Sequence, residues 1–190
     1  MERPRLSLPR ETQRLVIRLP DPAHARAVQE AVEESFDDLH AWMPWANHLQ
    51  TLDETRAYLL QAHEAFISGE DFAVSAYLKE TGQFVLASGL HPRNWDVPRF
   101  EIGYWCRTSM QGNGFATETA KFLARTAFTE MGARKVEIRC DSRNRASRRV
   151  AELVGFRFEA ELHCDDRAND GSIRDTVVYA MLAKDFSPDA

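Results

Sequence analysis

The chain has only three cysteines in 190 residues, Cys106, Cys140 and Cys164. Their odd number and wide separation exclude the even framework of a disulfide-stapled domain and the paired spacing of a zinc site, leaving three structural thiols as the simplest expectation. It also lacks a long apolar run. The longest clean stretch, around Phe84 to Ala87, falls far short of the roughly 20 residues that a membrane-spanning helix needs. The opening MERPRLSLPRETQ interleaves Arg3, Arg5 and Arg10 with prolines and has no apolar h-region. That argues against a secretory signal and leads us to expect a cytoplasmic protein. Repeats, low-complexity tracts and Gly/Ser linkers are missing too, so one domain covering 1–190 is expected. There is no excess of positive charge: 24 Lys+Arg against 29 Asp+Glu give a formal net charge of −5, which disfavours nucleic acid as a partner. His40, His48 and His63 show no His-x-x-x-His spacing, and no metal is assigned. What remains is a chain with 44% hydrophobic and 28% charged residues, enough for a sizeable core.

The periodicities alternate. Leu15 to Leu19 reads as a strand, Pro20-Asp21-Pro22 stops it, and a helix is predicted over Ala23 to Glu34. A second helical stretch begins near Asp37 and is interrupted by Pro44. Thr51-Leu52-Asp53-Glu54 matches a capping box and opens a helix to about Ser68, closed by Gly69. The period then becomes two. Phe72 to Leu78 and Gln83 to Leu90 flank Glu80-Thr81-Gly82 and are expected to form a hairpin, followed by a strand over Arg99 to Arg107. A helix from Phe115 to Met131, a strand over Val136 to Cys140 and a short helix from Ala146 to Val154 follow. Because a helix separates them, the strands at 99–107 and 136–140 are expected to run parallel. Two last strands, Phe156 to His163 and Ile173 to Leu182, are joined by a polar loop holding Asp165, Asp166, Asn169, Asp170 and Gly171. This alternation of strands and helices describes a mixed-sheet α/β domain.

One segment carries chemistry. Glu101 to Glu118 is a strand, a loop and a helix start, with Gly112 and Gly114 at the helix mouth. A helix N-terminus offers unpaired amides and the positive end of its dipole, and glycines let backbone approach a phosphate closely. Two glycines before a helix also arise from turn geometry alone. A P-loop is excluded, because Phe115-Ala116 follows Gly114 where Lys-Ser/Thr is required. A dinucleotide fingerprint is excluded by the missing third glycine and the antiparallel hairpin upstream.

The match is instead to Gln-x-x-Gly-x-Ala, Gln111-Gly112-Asn113-Gly114-Phe115-Ala116. With Glu101-Ile102-Gly103-Tyr104-Trp105 before it, and Asn144-Arg145-Ala146-Ser147 and Gly155-Phe156 after it, the chain resembles the GNAT superfamily of acetyl-CoA-dependent N-acetyltransferases, of the RimJ/RimL type. The resemblance runs from Thr12-Gln13-Arg14-Leu15 to Tyr179-Ala180-Met181, a core of about 12–183. It implies a mostly antiparallel sheet with a central, splayed parallel pair flanked by helices. It implies acetyl-CoA as cosubstrate without a metal. Gln111, Gly112, Asn113, Gly114, Phe115 and Ala116 would bind the pyrophosphate, and Trp105, Cys106 and Arg107 would offer main-chain groups to the pantetheine arm. Asn144 would contact pantetheine, or cap the following helix, or do both.

Transfer needs a deprotonated amine, a positioned thioester carbonyl and stabilisation of the departing thiolate. Many superfamily members place a tyrosine seven residues beyond the asparagine, where this chain has Ala151. The RimL-like branch has a serine three residues beyond it, here Ser147, which is assigned the thiol end; a small residue tolerated in a helix's first turn is the alternative. The branch's base falls on Asp166, with Glu101 as rival acting through water. The cluster Trp42-Met43-Pro44-Trp45, with Glu33, Glu34, Asp37, Asp38 and Asp53, falls in the helices lining the family's acceptor cleft. It reads either as an aromatic, acidic wall for a cationic amine or as core tryptophans beside a solvated face. The run Arg139, Arg143, Arg145, Arg148, Arg149 lies beside the CoA channel, where Arg148 and Arg149 could meet the nucleotide's 3′-phosphate. Three functions stay open: acetylation of a protein N-terminus, ribosomal proteins included; acetylation of a small amine; or a non-catalytic acyl-CoA-binding domain. A homodimer is common in the family.

Overall fold

A computed structural model describes residues 4–187; Arg3 of the N-terminal reading lies outside them. In chain order the elements are β1 (Arg10–Glu11), β2 (Leu15–Arg18), α1 (Ala25–Glu34), α2 (Phe36–Trp42), α3 (Leu52–Ser68), β3 (Phe72–Leu78), β4 (Phe84–Asn94), β5 (Arg99–Cys106), α4 (Phe115–Thr129), β6 (Lys135–Asp141), α5 (Arg145–Val154), β7 (Arg157–Arg167) and β8 (Ile173–Leu182). The eight strands form one sheet in the order β1-β2-β3-β4-β5-β6-β8-β7. Every neighbouring pair is antiparallel except β5 and β6, which run parallel as the intervening helix requires. No helix among the described residues is long and apolar enough to cross a membrane.

The local signals act where the sequence places them. The Thr51 hydroxyl accepts from the Glu54 amide, the Glu54 carboxylate accepts from the Thr51 amide at 2.7 Å, and Gly69 closes α3 in the left-handed region at φ 74°. Met43-Pro44 ends α2 at Trp42. Two apolar clusters cover the two faces of the sheet, and the adjacent residues Ala76 and Tyr77 on β3 point one into each. One cluster packs Leu123, Ala124 and Ala127 of α4 against Leu86, Ile102 and Val136. The other packs Val28, Val32, Leu39 and Leu59 of α1 to α3 against Tyr77 and Phe84.

Two elements differ from expectation. The strand β1 has no apolar pattern; it exists because Arg10 and Glu11 pair with Ile17 and Val16 across a tight reversal at 12–14. Asp165 and Asp166 do not sit in the last loop. The strand β7 continues through them to Arg167, with Asp166 opposite Arg174 and Arg167 opposite Ile173. Cross-strand charge pairing outweighs the loop-like composition here, because the Asp166 carboxylate takes a 2.7 Å bond from the Arg174 guanidinium. The reversal is confined to Ala168–Ser172, whose end residues exchange a 2.9 Å backbone bond.

The fully buried Leu123 ties α4 to the sheet. Leu123→Ala is expected to cost about 2–5 kcal/mol, read as a fall in the urea unfolding midpoint with little change in slope.

Candidate active site

The strands β5 and β6 pair over only three residues, Arg99 with Lys135, Phe100 with Val136 and Glu101 with Glu137. Both then continue, β5 to Cys106 and β6 to Asp141, without pairing to each other. A wedge opens between them, and a cavity of about 980 Å³ occupies it. Backbone groups along such a gap are ready to pair with an extended arm as a sheet edge would.

One end of the cavity is the start of α4. The first backbone bond of the helix runs from the Glu118 amide to the Gly114 carbonyl, so the amides of Phe115, Ala116 and Thr117 have no partner inside the helix. Gly112 and Gly114 hold φ of 75° and 79°, a conformation that side chains with a Cβ rarely adopt, and so both positions depend on glycine. Gln111, Gly112, Gly114, Phe115 and Ala116 line the cavity. The side chain of Asn113 turns back instead, donating to the Met110 and Gln111 carbonyls.

This loop is braced from two sides. From α1 and α2, the Glu34 carboxylate accepts from the Ser109 amide at 2.8 Å and from Arg107 Nε at 2.6 Å, and Ser35 Oγ accepts from the Thr108 amide at 2.9 Å. Asp38 accepts from the Thr108 hydroxyl and, at 3.2 Å, from the Gln111 amide side chain. Glu34 and Asp38, which the sequence offered to an acceptor wall, therefore spend their charge on the loop, and Arg107 turns away from the wedge. From the N-terminal side, Arg14 donates to the Asn113 carbonyl at 2.9 Å, pairs with Glu118 at 2.7 Å and lies 4.4 Å over the Phe115 ring. Burial works against charge on Glu118, but bonds from the Thr12 hydroxyl and from the Arg14 amide and guanidinium outweigh it and hold the carboxyl below its ordinary range. Sequence reasoning assigned no role to Glu118, Glu34 or Asp38 in the loop; Arg14 entered only as part of a motif. These contacts join segments 70 and more residues apart, which no spacing rule detects.

Midway along the wedge, Asn144 caps α5 by accepting from the Ser147 amide at 3.0 Å. Ser147 Oγ lies 2.9 Å from the Tyr104 hydroxyl, a contact the sequence does not announce. Tyr104, Trp105, Cys106, Cys140, Asn144 and Ser147 all border the cavity. Burial raises the Cys106 thiol to about 11 and also raises Cys140, so both stay protonated near neutral pH. Ala151 is fully buried in the core. Of the arginine run, Arg148 is committed to the Tyr179 hydroxyl and the Ser142 carbonyl, whereas Arg149 is largely exposed at the cavity rim beside Glu152.

Both candidate bases, Glu101 and Asp166, border the cavity, as do Trp42 at the end of α2 and Met43 just beyond it. Both oxygens of Asp166 are engaged, one by the Arg167 amide at 2.8 Å and one by Arg174 at 2.7 Å, and these bonds hold its carboxyl below the usual range. Glu101 meets Arg93 through one oxygen, Oε2, at 3.0 to 3.1 Å. Trp45, half-exposed, lies 6.2 Å from the Trp105 ring. One group with the donor atoms for a cation, Glu161, His163 and Asp175, lies on β7 and β8 away from the cavity lining.

A splayed parallel pair with unpartnered helix amides and carboxylates along one cavity is the arrangement expected of an acyl-group transferase. The chain belongs to the acetyltransferase (GNAT) domain family, whose model matches residues 14–157. It is 26% identical over 175 residues to a Bacillus subtilis (strain 168) protein named "Putative ribosomal N-acetyltransferase YdaF", covering 90% of this chain and 93% of that one. Among solved structures, RimL, a ribosomal L7/L12 alpha-N-protein acetyltransferase in complex with coenzyme A, superposes with a TM-score of 0.83 at 21% identity, over 93% of this chain and 98% of that chain. The microcin C7 self-immunity acetyltransferase MccE, in complex with acetyl-CoA and AMP, gives 0.82 at 16% identity over 90% and 93%. These likenesses agree with the expected fold.

The Glu118 clamp predicts a pH dependence. Its folded pKa lies below the ordinary 4.5, so its stabilisation is present above that value and is lost as pH falls through the folded pKa. Glu118→Gln is therefore expected to cost about 1–2 kcal/mol at pH 7, and the gap from the parent should close as pH drops below about 4, measured by urea unfolding at each pH.

Proposed function

We propose that the protein is an acetyl-CoA-dependent N-acetyltransferase whose acceptor is the α-amine at the N-terminus of a protein, ribosomal proteins being the first class to test. The observation that carries the reading is the open wedge between β5 and β6 with the unpartnered α4 amides at its mouth, a shape that suits an extended thioester arm ending in a pyrophosphate. The acceptor assignment is supported by the name of the B. subtilis relative and by the ribosomal-protein acetyltransferase among the structural neighbours. The continuous sheet from β1 to β7 supports one domain; a cytoplasmic site of action and a homodimer go with this reading as proposals.

In this mechanism the pyrophosphate sits on the amides of Gly112 to Ala116, and Asn144 holds the arm beside α5. The amine attacks the thioester carbonyl after losing a proton, the carbon–sulfur bond breaks, and Ser147 stabilises the CoA thiolate with its hydroxyl. Glu101 is the better base of the two candidates. A carboxylate held low by two donors, as Asp166 is, takes up a proton poorly, whereas Glu101 keeps one oxygen outside its arginine pair. Asp166 then serves as the partner that fixes Arg174 at the acceptor end.

The test measures thiol release from acetyl-CoA with N-terminal peptides, polyamines, amino acids and aminoglycosides as acceptors, with products identified by mass. Acetyl on a peptide α-amine supports the proposal; turnover restricted to small amines moves the acceptor class, and no turnover with any acceptor favours a binding domain. Glu101→Gln is expected to lower kcat by about 10²–10⁴-fold, and Asp166→Asn by less than about tenfold. The reverse order would return the base to Asp166.

A further inference from the structure

We propose that Tyr104 is a positioning residue for acetyl transfer: its phenol, bonded across the wedge to Ser147 Oγ, holds the serine hydroxyl in the orientation that meets the CoA sulfur. This rests on the role of Ser147 given above.

Tyr104 lies on β5 three residues beyond Glu101, the last position paired to β6, so its strand segment borders the open wedge. Its hydroxyl is 2.9 Å from Ser147 Oγ and 3.1 Å from the Ser147 carbonyl oxygen. The serine backbone is fixed from the other side, because its amide donates to Asn144 Oδ1 at 3.0 Å in the first turn of α5. What stays free in a serine so held is the rotation of its O–H. A phenol proton shared between the Ser147 carbonyl oxygen and Oγ restrains that rotation and leaves the serine's own proton for the cavity. Ser147 carries the one side-chain hydroxyl of α5, and Ala151, a turn further on, presents only a buried methyl. The second hydroxyl at this point of the wedge therefore comes from the opposite strand.

The chemistry also excludes a stronger role. Burial pushes the Tyr104 phenol far above its ordinary value, with the Ser147 bond opposing only part of the shift. A proton passed from Tyr104 through Ser147 to sulfur would leave a buried phenolate, which is less stable than the thiolate it would neutralise. Tyr104 thus remains a donor through the reaction. The thiolate is stabilised by the serine hydroxyl and takes its proton from solvent on release, while the amine's proton leaves through Glu101.

The experiment is a double-mutant cycle with Tyr104→Phe and Ser147→Ala, using acetyl-CoA and the acceptor that the parent turns over best. The expected result for Tyr104→Phe is a kcat lowered about tenfold, with KM for acetyl-CoA within about twofold and an unchanged thermal midpoint. In the Ser147→Ala background the same substitution is expected to lower kcat no further. A Tyr104→Phe enzyme with parental kcat, or losses that multiply in the double variant, would overturn the proposal. Should the phenylalanine variant fold poorly, 3,5-difluorotyrosine at position 104 retains the hydroxyl and ionises at lower pH. Its kcat is expected to fall at alkaline pH where the parent's holds, since a phenolate cannot donate, and superimposable profiles count against the role. Failure of the parent to acetylate any acceptor would instead sink the transferase reading itself.

Discussion

The three-residue limit on pairing between β5 and β6 is the constraint from which the site follows. Parallel strands that separate leave N–H and C=O groups facing a gap, and a buried backbone group without a partner costs about as much as a lost hydrogen bond. The fold tolerates this only because the separated segments remain anchored elsewhere. The strand β5 stays paired to β4 as far as Cys106, and β6 stays paired to β8 as far as Asp141. Each wall of the wedge is thus half of a continuous antiparallel ladder. The opening is rigid, with one face per strand left for a ligand.

A rigid wedge still needs its mouth held, and two distant parts of the chain do this. The turn before β2 supplies Thr12 and Arg14, and the α1–α2 junction supplies Glu34, Ser35 and Asp38. The partner in each case is the segment 107–118. Loops are normally mobile, and an anion site made of backbone amides works only if those amides are already aimed. The acidic residues face a local conflict, since negative charge beside the proposed pyrophosphate site is unfavourable. It is resolved by spending each carboxylate on nearby donors, Glu34 and Asp38 on Arg107, Ser109 and Thr108 of the loop and Glu118 on Arg14.

The fold was legible because its signals are local. The capping box at Thr51, the hairpin around Gly82, the glycine stops and the shift from period two to helical spacing each act within a few residues. The cofactor end was legible for the same reason: Gln111 to Ala116 is a contiguous motif whose φ demands fall on its glycines. Where reading failed, the deciding contact was long-range. Asp165 and Asp166 look like loop residues until Arg174 stands opposite, and β1 has no apolar signal because its pairing with β2 is set by the reversal between them. Tyr104 offered no signal either: a tyrosine within a strand motif reads as packing, and only the approach of α5 turns it into half of a hydroxyl pair.

The acceptor end shows why counting charges along a sequence misleads about a cleft. Asp165 faces Arg139, Asp166 faces Arg174, Glu101 faces Arg93, and the buried Asp141 is gripped by Arg143. Pairing on this scale cancels most of the field that an excess of acids would otherwise project, so long-range attraction of a cation is weak there. What survives is local: particular carboxylate oxygens left outside their pairs, set against the Trp42 and Met43 wall. An acceptor is then selected by how its first atoms fill that corner, with its net charge secondary. On the proposed mechanism this is also why a single oxygen of Glu101 outside its arginine pair outweighs the several acids around it.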